Sequence, residues 1–176
     1  MRRWLKILAI AFGLAVILLP AAGAVLFWQM AGQSRSMAED ALRGPFPLSD
    51  CANLDRPATP NHWFVAGGQC EATADAPAPE FALPALAQAA LLREWLGRQA
   101  EVQLAPQGED PLAILAVAKT TVFGFADVVA IRVLPLPENH STVAIYSRSM
   151  VGESDLGANQ ERVEAWIRAF SQEAGP

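Results

Sequence analysis

The chain has 176 residues, 52% of them hydrophobic, and a formal net charge of −5. This length allows one domain and little more. Three of the 13 basic residues lie in the first six positions, and all 18 acidic residues follow position 38, so the rest of the chain carries a net charge of −8. A domain with that charge is repelled by nucleic acid, and nucleic-acid binding is therefore excluded.

The first predicted element is a transmembrane helix over residues 7–28, a run of 22 residues without a charge. At about 1.5 Å per residue, such a helix crosses a hydrocarbon core of roughly 30 Å. The alternative is a cleaved signal peptide with a small-residue site at residues 22–24. The apolar run continues from Val25 to Trp28 beyond that site, which favours a retained signal-anchor.

Charged residues beside the run predict its orientation. Arg2, Arg3 and Lys6 make residues 1–6 a basic tip, and the positive-inside bias keeps such a tip in the cytoplasm. The Arg2-Arg3 pair also resembles a twin-arginine export signal, but positive-inside flanking explains it more simply. We expect a single-pass protein of the inner (cytoplasmic) membrane. A juxtamembrane, proline-rich linker follows over residues 29–60, and an exported domain over residues 61–172 faces the periplasm or the exterior.

Two cysteines, Cys51 and Cys70, lie in the part of the chain that we expect to be exported. In an oxidising compartment such a pair is more often bridged than free, and we predict a disulfide. Free thiols are the alternative. A metal site is disfavoured because only His62 and His140 could join the cysteines, without metal-ligand spacing. We expect no metal and no cofactor.

Hydrophobic periodicity predicts two helices and several strands in the exported domain. Apolar residues recur at helical spacing over residues 84–98 and again over residues 159–171. Short apolar runs joined by turn residues predict further strands, at residues 61–65, 101–105, 112–121, 127–134 and 141–150. Short connections favour antiparallel pairing. The predicted class is α+β, with an antiparallel sheet of about four to six strands and both helices packed on one face.

The segment from Ser147 to Asn159, followed by Arg162, resembles the signature of the family known as domain of unknown function 1499. An upstream Phe-Gly-Phe-x-Asp turn and an early Pro60-Asn61 step are similar to that family as well. The resemblance covers about residues 60–172 and implies fold and membership, because the family has no agreed reaction. The residues that carry the motif are Phe123, Gly124, Phe125, Asp127, Ser147, Arg148, Ser149, Gly152, Ser154, Asp155, Gly157, Asn159 and Arg162.

Ser154 and Asp155 lie where the last strand gives way to the last helix. The favoured interpretation is structural: short oxygen-bearing side chains cap exposed backbone amides, and Gly152 and Gly157 permit the turn. The alternative is catalytic, with Ser154 as a nucleophile. That role needs a base, and the two histidines lie in predicted loops without a motif around them.

Strand alternation places four residues on the sheet face turned away from the helices: Lys119, Arg132, Tyr146 and Arg148. This face combines apolar and basic groups within an acidic domain, so we predict that it is covered or lines a groove. Two interpretations stay open for Arg148. It forms an ion pair with Asp127 or Asp155, or it helps to bind an anionic, partly apolar ligand.

Three functions remain possible on the sequence. The favoured one is a non-enzymatic, membrane-anchored accessory domain that binds an envelope protein or a lipid-like anionic ligand. The second is an envelope hydrolase that uses Ser154 and Asp155 with a histidine. The third is a purely structural anchor domain. No catalytic residue is assigned.

Overall fold

The structure is a computed structural model that describes residues 2–120 and 124–174. Three α-helices are present: α1 (Arg2–Ala41), α2 (Ala85–Gly97) and α3 (Ala158–Ala174). Six strands form one sheet: β1 (His62–Ala66), β2 (Ala76–Pro77), β3 (Val102–Leu104), β4 (Ala113–Lys119), β5 (Ala126–Pro135) and β6 (Ser141–Ser149). The predicted α+β class is confirmed.

The strands are ordered β2-β1-β6-β5-β4-β3. Strands β3 to β6 pair antiparallel with their neighbours, and β1 pairs antiparallel with β6. The two-residue strand β2 pairs in parallel with β1, so the sheet is mixed rather than purely antiparallel. A 3₁₀ helix at Gly68–Thr73 makes this possible, because it brings the chain back for the amides of Asp75 and Ala78 to bond to β1 carbonyls.

One face of the sheet packs against α2 and α3. The apolar stripe of α3, with Val163, Trp166 and Phe170, meets Trp95 and Leu96 of α2 over the central strands. The ring centroids of Trp95 and Trp166 lie 6.1 Å apart in an edge-on arrangement. Burying each large apolar side chain contributes about 1.5–3 kcal/mol, so this cluster is the main core of the domain.

The opposite face, here called the outer face, is also covered. Phe64 of β1 and Tyr146 of β6 lie beneath Leu48, Cys51 and Cys70. Cys51 and Cys70 are at disulfide distance, with Cα atoms 5.4 Å apart. This second core shows how the half-apolar outer face avoids water: it is covered by the chain that precedes β1 and by the 3₁₀ helix that contains Cys70.

The C-terminal part of α1 completes the cover of the outer face. Ala31, Ser34 and Ala38 are buried at i, i+3 and i+7 spacing, as expected for a helix stripe facing a core. Ala38 packs with Val117 of β4 and Val128 of β5. The hydroxyl of Ser34 accepts a hydrogen bond of 3.2 Å from the Ala126 amide. Residues 29–60, predicted as a linker, thus supply both helix and core residues.

The N-terminal part of α1 contains a candidate membrane span. Among the described residues, Phe12–Ala41 is long and apolar enough to cross a membrane, with a mean hydropathy of 2.0 over an 18-residue window. The described side chains from Phe12 to Met30 are exposed, in contrast to the buried stripe that follows. Helix α1 has 40 residues and is therefore about 60 Å long.

We predict that the Cys51→Ala, Cys70→Ala double variant is less stable by about 3 kcal/mol, because the cross-link restricts the unfolded chain. Urea unfolding followed by tryptophan fluorescence measures the loss. Wild type with dithiothreitol is the control and should match the variant. Two reactive thiols in oxidised, denatured wild type would contradict the disulfide.

Candidate functional site

The motif residues form a buried polar network between the sheet and the N-terminus of α3. At its centre Arg162 of α3 donates to Asp127 of β5 over 2.6 Å. Asp127 is 1% exposed, and the Arg162 side chain is 10% exposed. Arg162 also donates to the Ser147 hydroxyl and to the Asn159 side-chain carbonyl. A buried charge of this kind is tolerated only when it is paired and hydrogen-bonded.

Asn159 connects this ion pair to the neighbouring loops. Its side-chain amide donates to the Asn61 carbonyl, the Ser149 hydroxyl and Asp155 Oδ2. The side chain of Asn61 in turn donates to the Gly152 carbonyl over 2.8 Å. The Pro60-Asn61 step and the C-terminal motif, far apart in sequence, therefore belong to one network.

Asp155 and Ser154 bond to the backbone of the turn before α3. The Asp155 carboxylate accepts from the amides of Gly157 and Asn159, over 3.0 and 2.9 Å. The Ser154 hydroxyl accepts from the Leu156 amide. Gly152 and Gly157 have φ values of +89° and +85°, which glycine adopts readily. A carboxylate at this helix N-terminus also interacts favourably with the helix dipole.

Burial raises the pKa of Asp127, and the opposing charge of Arg162 and the Ser149 hydroxyl limit that rise. The sequence left Arg148 as a possible ion-pair partner for Asp127 or Asp155. In the structure Arg148 instead lies opposite Val128 on the outer face, and Arg162 pairs with Asp127. A crossing helix, which strand alternation does not describe, supplies the cation.

The four residues predicted to bind a ligand all lie on the outer face, but at different ends. Tyr146 and Arg148 are next to one another on β6, and Lys119 lies two strands away at the same end. Arg132 lies four residues along β5 from Val128, about 13 Å away. It bonds to the Leu48 carbonyl and Asp110, and its guanidinium lies 5.1 Å from the Phe46 ring centroid.

Arg132 also lines an open groove of about 360 Å³ next to Cys51 and Leu134. This groove lies at the end of β5 away from Lys119 and Arg148, so it does not contain the other predicted ligand residues.

Phe123 of the family motif lies outside the described residues. Within the described ranges, no group of three or more acidic, histidine or cysteine residues is placed to hold a metal ion.

A cluster of Arg56, His62 and Asp75 lies beside Tyr146 and Arg148, and the sequence patterns gave no indication of it. We call these five residues the outer-face cluster. Arg56 binds both carboxylate oxygens of Asp75 at 2.6 Å and donates through Nε to His62 Nε2. His62 Nδ1 lies 3.1 Å from the Thr59 carbonyl, so the neutral ring carries its proton on Nδ1. The His62 and Tyr146 ring centroids are 5.8 Å apart. No motif joins Arg56 to Asp75 in the sequence, because only folding brings these loops together.

Tyr146 is the most deeply buried residue of the outer-face cluster, with 2% exposure. Burial raises the pKa of its hydroxyl, and the nearby Arg148 and Arg56 charges limit that rise. The outer-face cluster therefore combines the buried Tyr146 hydroxyl with the half-buried side chains of Arg148 and His62 at one end of the outer face.

Comparison with known protein families gives the same family as the sequence motif. The chain matches the family described as "Protein of unknown function (DUF1499)" over residues 56–170, which is more than half of its length. The chain belongs to the DUF1499 family. No curated protein and no solved structure matches it. The matched range begins at Arg56 and ends at Phe170, so it includes the buried network and the outer-face cluster of this DUF1499 domain.

We predict that Asp127→Asn and Arg162→Met each destabilise the domain by about 3–5 kcal/mol, because each leaves a buried partner without compensation. The double variant should lose less than the sum of the two, since the residues interact directly. Urea unfolding of all four proteins gives the coupling energy. Arg168→Met, at an exposed residue of α3, is the matched control and should stay within about 0.5 kcal/mol of wild type. Additive losses would contradict the ion pair.

We also predict that His62 makes stability fall in mild acid. Burial and the Arg56 charge lower its pKa below the usual 6.5, against weaker opposing effects of Asp75, the Thr59 carbonyl and Asp155. As pH falls below about 6.5, the unfolded chain binds the proton first, so unfolding becomes more favourable.

Urea unfolding at about pH 7.5 and about pH 5.5 measures this loss of stability. His62→Gln should show a smaller loss than wild type. The control variant His140→Gln, at the half-buried second histidine, should lose as much as wild type. An equal loss in His62→Gln and wild type would assign the acid sensitivity to other groups.

Proposed function

We propose that this chain is a single-pass accessory protein of the inner (cytoplasmic) membrane. Its exported domain binds an anionic amphipathic ligand or an envelope partner protein and catalyses no reaction. The observation that carries the proposal is the continuity of α1. The helix that contains the candidate span continues directly into the stripe of Ala31, Ser34 and Ala38 that is buried under the sheet.

The orientation follows from charge and from the cysteines. Arg2, Arg3 and Lys6 precede the apolar run, and only Arg35 and Arg43 follow it within twenty residues, which favours an N-terminus in the cytoplasm. The pair Cys51 and Cys70, at disulfide distance, suits an oxidising compartment outside that membrane.

A binding role fits the contacts better than hydrolysis. The Ser154 hydroxyl accepts from the Leu156 amide in the turn before α3, and His140 lies before β6 at the far end of the sheet. His62 lies opposite Arg148 in the sheet register, but its ring nitrogens face Arg56 and the Thr59 carbonyl. A serine nucleophile needs a base within hydrogen-bond reach.

Arg148 is the residue most suited to an anionic ligand. It is half-buried beside the Tyr146 hydroxyl, and among the described residues no carboxylate forms a salt bridge with it. An arginine without a carboxylate partner, in a domain of net negative charge, can bind a phosphate or carboxylate through paired N–H groups. A purely structural anchor domain would not require a cation at this position.

Native mass spectrometry of the full chain, extracted from membranes in mild detergent, tests both parts of the proposal. We expect a protein mass that includes residues 1–24 and an additional population with a bound anionic molecule. A mass that begins at Val25 would overturn the anchor.

The matched variants for the ligand are Arg148→Gln and Arg168→Gln, which both remove one guanidinium. We expect Arg148→Gln to lose the bound population, because it removes the cation beside Tyr146. Arg168→Gln should keep it, because Arg168 is exposed on α3, on the other side of the sheet. Retention of the ligand in both variants, or its absence from wild type, would contradict ligand binding at Arg148.

A further inference from the structure

Two connections project from the same end of the sheet. Strand β4 ends at Lys119, which pairs with Ala126 at the start of β5, and Asp127 pairs with Ser149 at the end of β6. We call this the basal end. Phe125, just before β5, and the loop of residues 150–157, just after β6, lie side by side at this end, because β5 and β6 are neighbours.

Helix α1 indicates which way the basal end faces. Phe27, in the last turn of the apolar run, contacts Phe125, with ring centroids 5.4 Å apart. Further along the helix, Ser34 bonds to the amide of Ala126, and Ala38 packs against Val128. The helix therefore passes the basal end immediately after its apolar run and then follows β5 away from it. If the apolar run spans a bilayer, the basal end faces that bilayer.

The loop at the basal end presents an apolar side chain on a fixed support. Leu156 is 92% exposed, the largest exposure among the large hydrophobic residues that the structure describes. Its φ is +55°, a conformation that is uncommon for a bulky residue, whereas glycine has the other positive φ values in this loop. The Leu156 amide donates to the Ser154 hydroxyl, and the preceding Asp155 accepts from the Asn159 amide at the start of α3. The backbone is thus well held, while the side chain has almost no contact with the rest of the chain.

Charge at the basal end is mixed. Arg35 and Lys119 are both exposed, and the Arg35 guanidinium lies close to Gly124, next to Phe125. Glu153 is exposed in the Leu156 loop. Because the charges have both signs, attraction to anionic lipid is not the main force. Apolar insertion, with arginine and lysine beside the headgroup phosphates, is the interaction that this surface suits.

We propose that Leu156 and Phe125 insert into the outer leaflet of the bilayer that α1 crosses, so that the domain rests on the lipid surface. This inference rests on the membrane anchor of the proposed function. It adds a second, shallow contact with lipid, and it fixes the side of the domain that faces the membrane. A protein partner or a second copy of this chain at Leu156 is the alternative occupant.

Fluorescence quenching in vesicles tests the proposal with the full chain. The Leu156→Cys variant is labelled with nitrobenzoxadiazole, which reacts with that thiol alone when Cys51 and Cys70 are joined. The labelled protein is reconstituted into phosphatidylcholine vesicles that contain lipids with a spin label at a shallow or a deep acyl position. Leu86→Cys is the matched control, because Leu86 is a 62% exposed leucine near the start of α2, at the opposite end of the sheet.

We expect a shift of the Leu156→Cys emission to shorter wavelength and stronger quenching by the shallow label, since such insertions reach about 5–10 Å into the headgroup region. The Leu86→Cys emission should change little. Equal quenching at both positions would overturn the proposal. A shifted emission without quenching by either lipid label would also overturn it and assign Leu156 to a protein contact.

Flotation of the same vesicles tests membrane anchoring by α1 separately from the lipid contact of Leu156. A labelled chain that floats with the vesicles but shows no quenching at Leu156→Cys leaves the anchor standing and removes the lipid contact. A chain that does not float overturns the anchor and, with it, this inference.

Discussion

The central strand β5 is apolar on both faces, and the rest of the structure follows from the need to cover each of them. Val129, Ile131 and Val133 face α2 and α3, as an α+β domain requires. Val128 and Ala130 face the other way and are also buried. Helices α2 and α3 both pack on the first face and leave the second one uncovered. The second cover comes mainly from the chain before β1, together with Cys70 after it, so the helix that contains the candidate membrane span is also part of the domain's core.

The buried ion pair of Asp127 and Arg162 explains why the family motif has so many polar residues. A carboxylate that is 1% exposed on a central strand needs a cation, and the cation needs further acceptors for its remaining N–H groups. Ser147 and Asn159 supply those acceptors. Asn159 then fixes Asn61 and the turn before α3. These polar residues of the motif thus form one hydrogen-bonded joint between β5, β6 and α3, which Asn61 connects to the start of β1.

The sequence predicted those parts of the fold that depend on local periodicity. Helix α3 and strand β5 were predictable because Val163, Trp166 and Phe170 repeat at helical spacing, and because alternating residues of β5 face opposite sides. The core role of Leu48 and Cys51 was not predictable, since a proline-rich segment has no period and its burial depends on the sheet beneath it. The partner of Asp127 was missed for a similar reason. Alternation along β6 gives the side on which Arg148 lies, but nothing in that strand indicates where Arg162 of a crossing helix will reach.

The packing of α1 has a consequence for any ligand of this domain. A flexible linker would let the domain sample many distances from the bilayer, whereas an unbroken helix that is buried along one side sets a single distance. Ala126 bonds to Ser34, about seven residues and roughly 10 Å along the helix from Phe27. The first residues of β5 therefore lie about two helical turns beyond the apolar run, together with Lys119 and Arg148. If α1 spans a bilayer, as proposed, a cationic residue held at that height is at the level of the lipid headgroups, where anionic amphipathic molecules are concentrated. On that proposal, the packing that covers the outer face also places the proposed binding residues next to the source of their ligand.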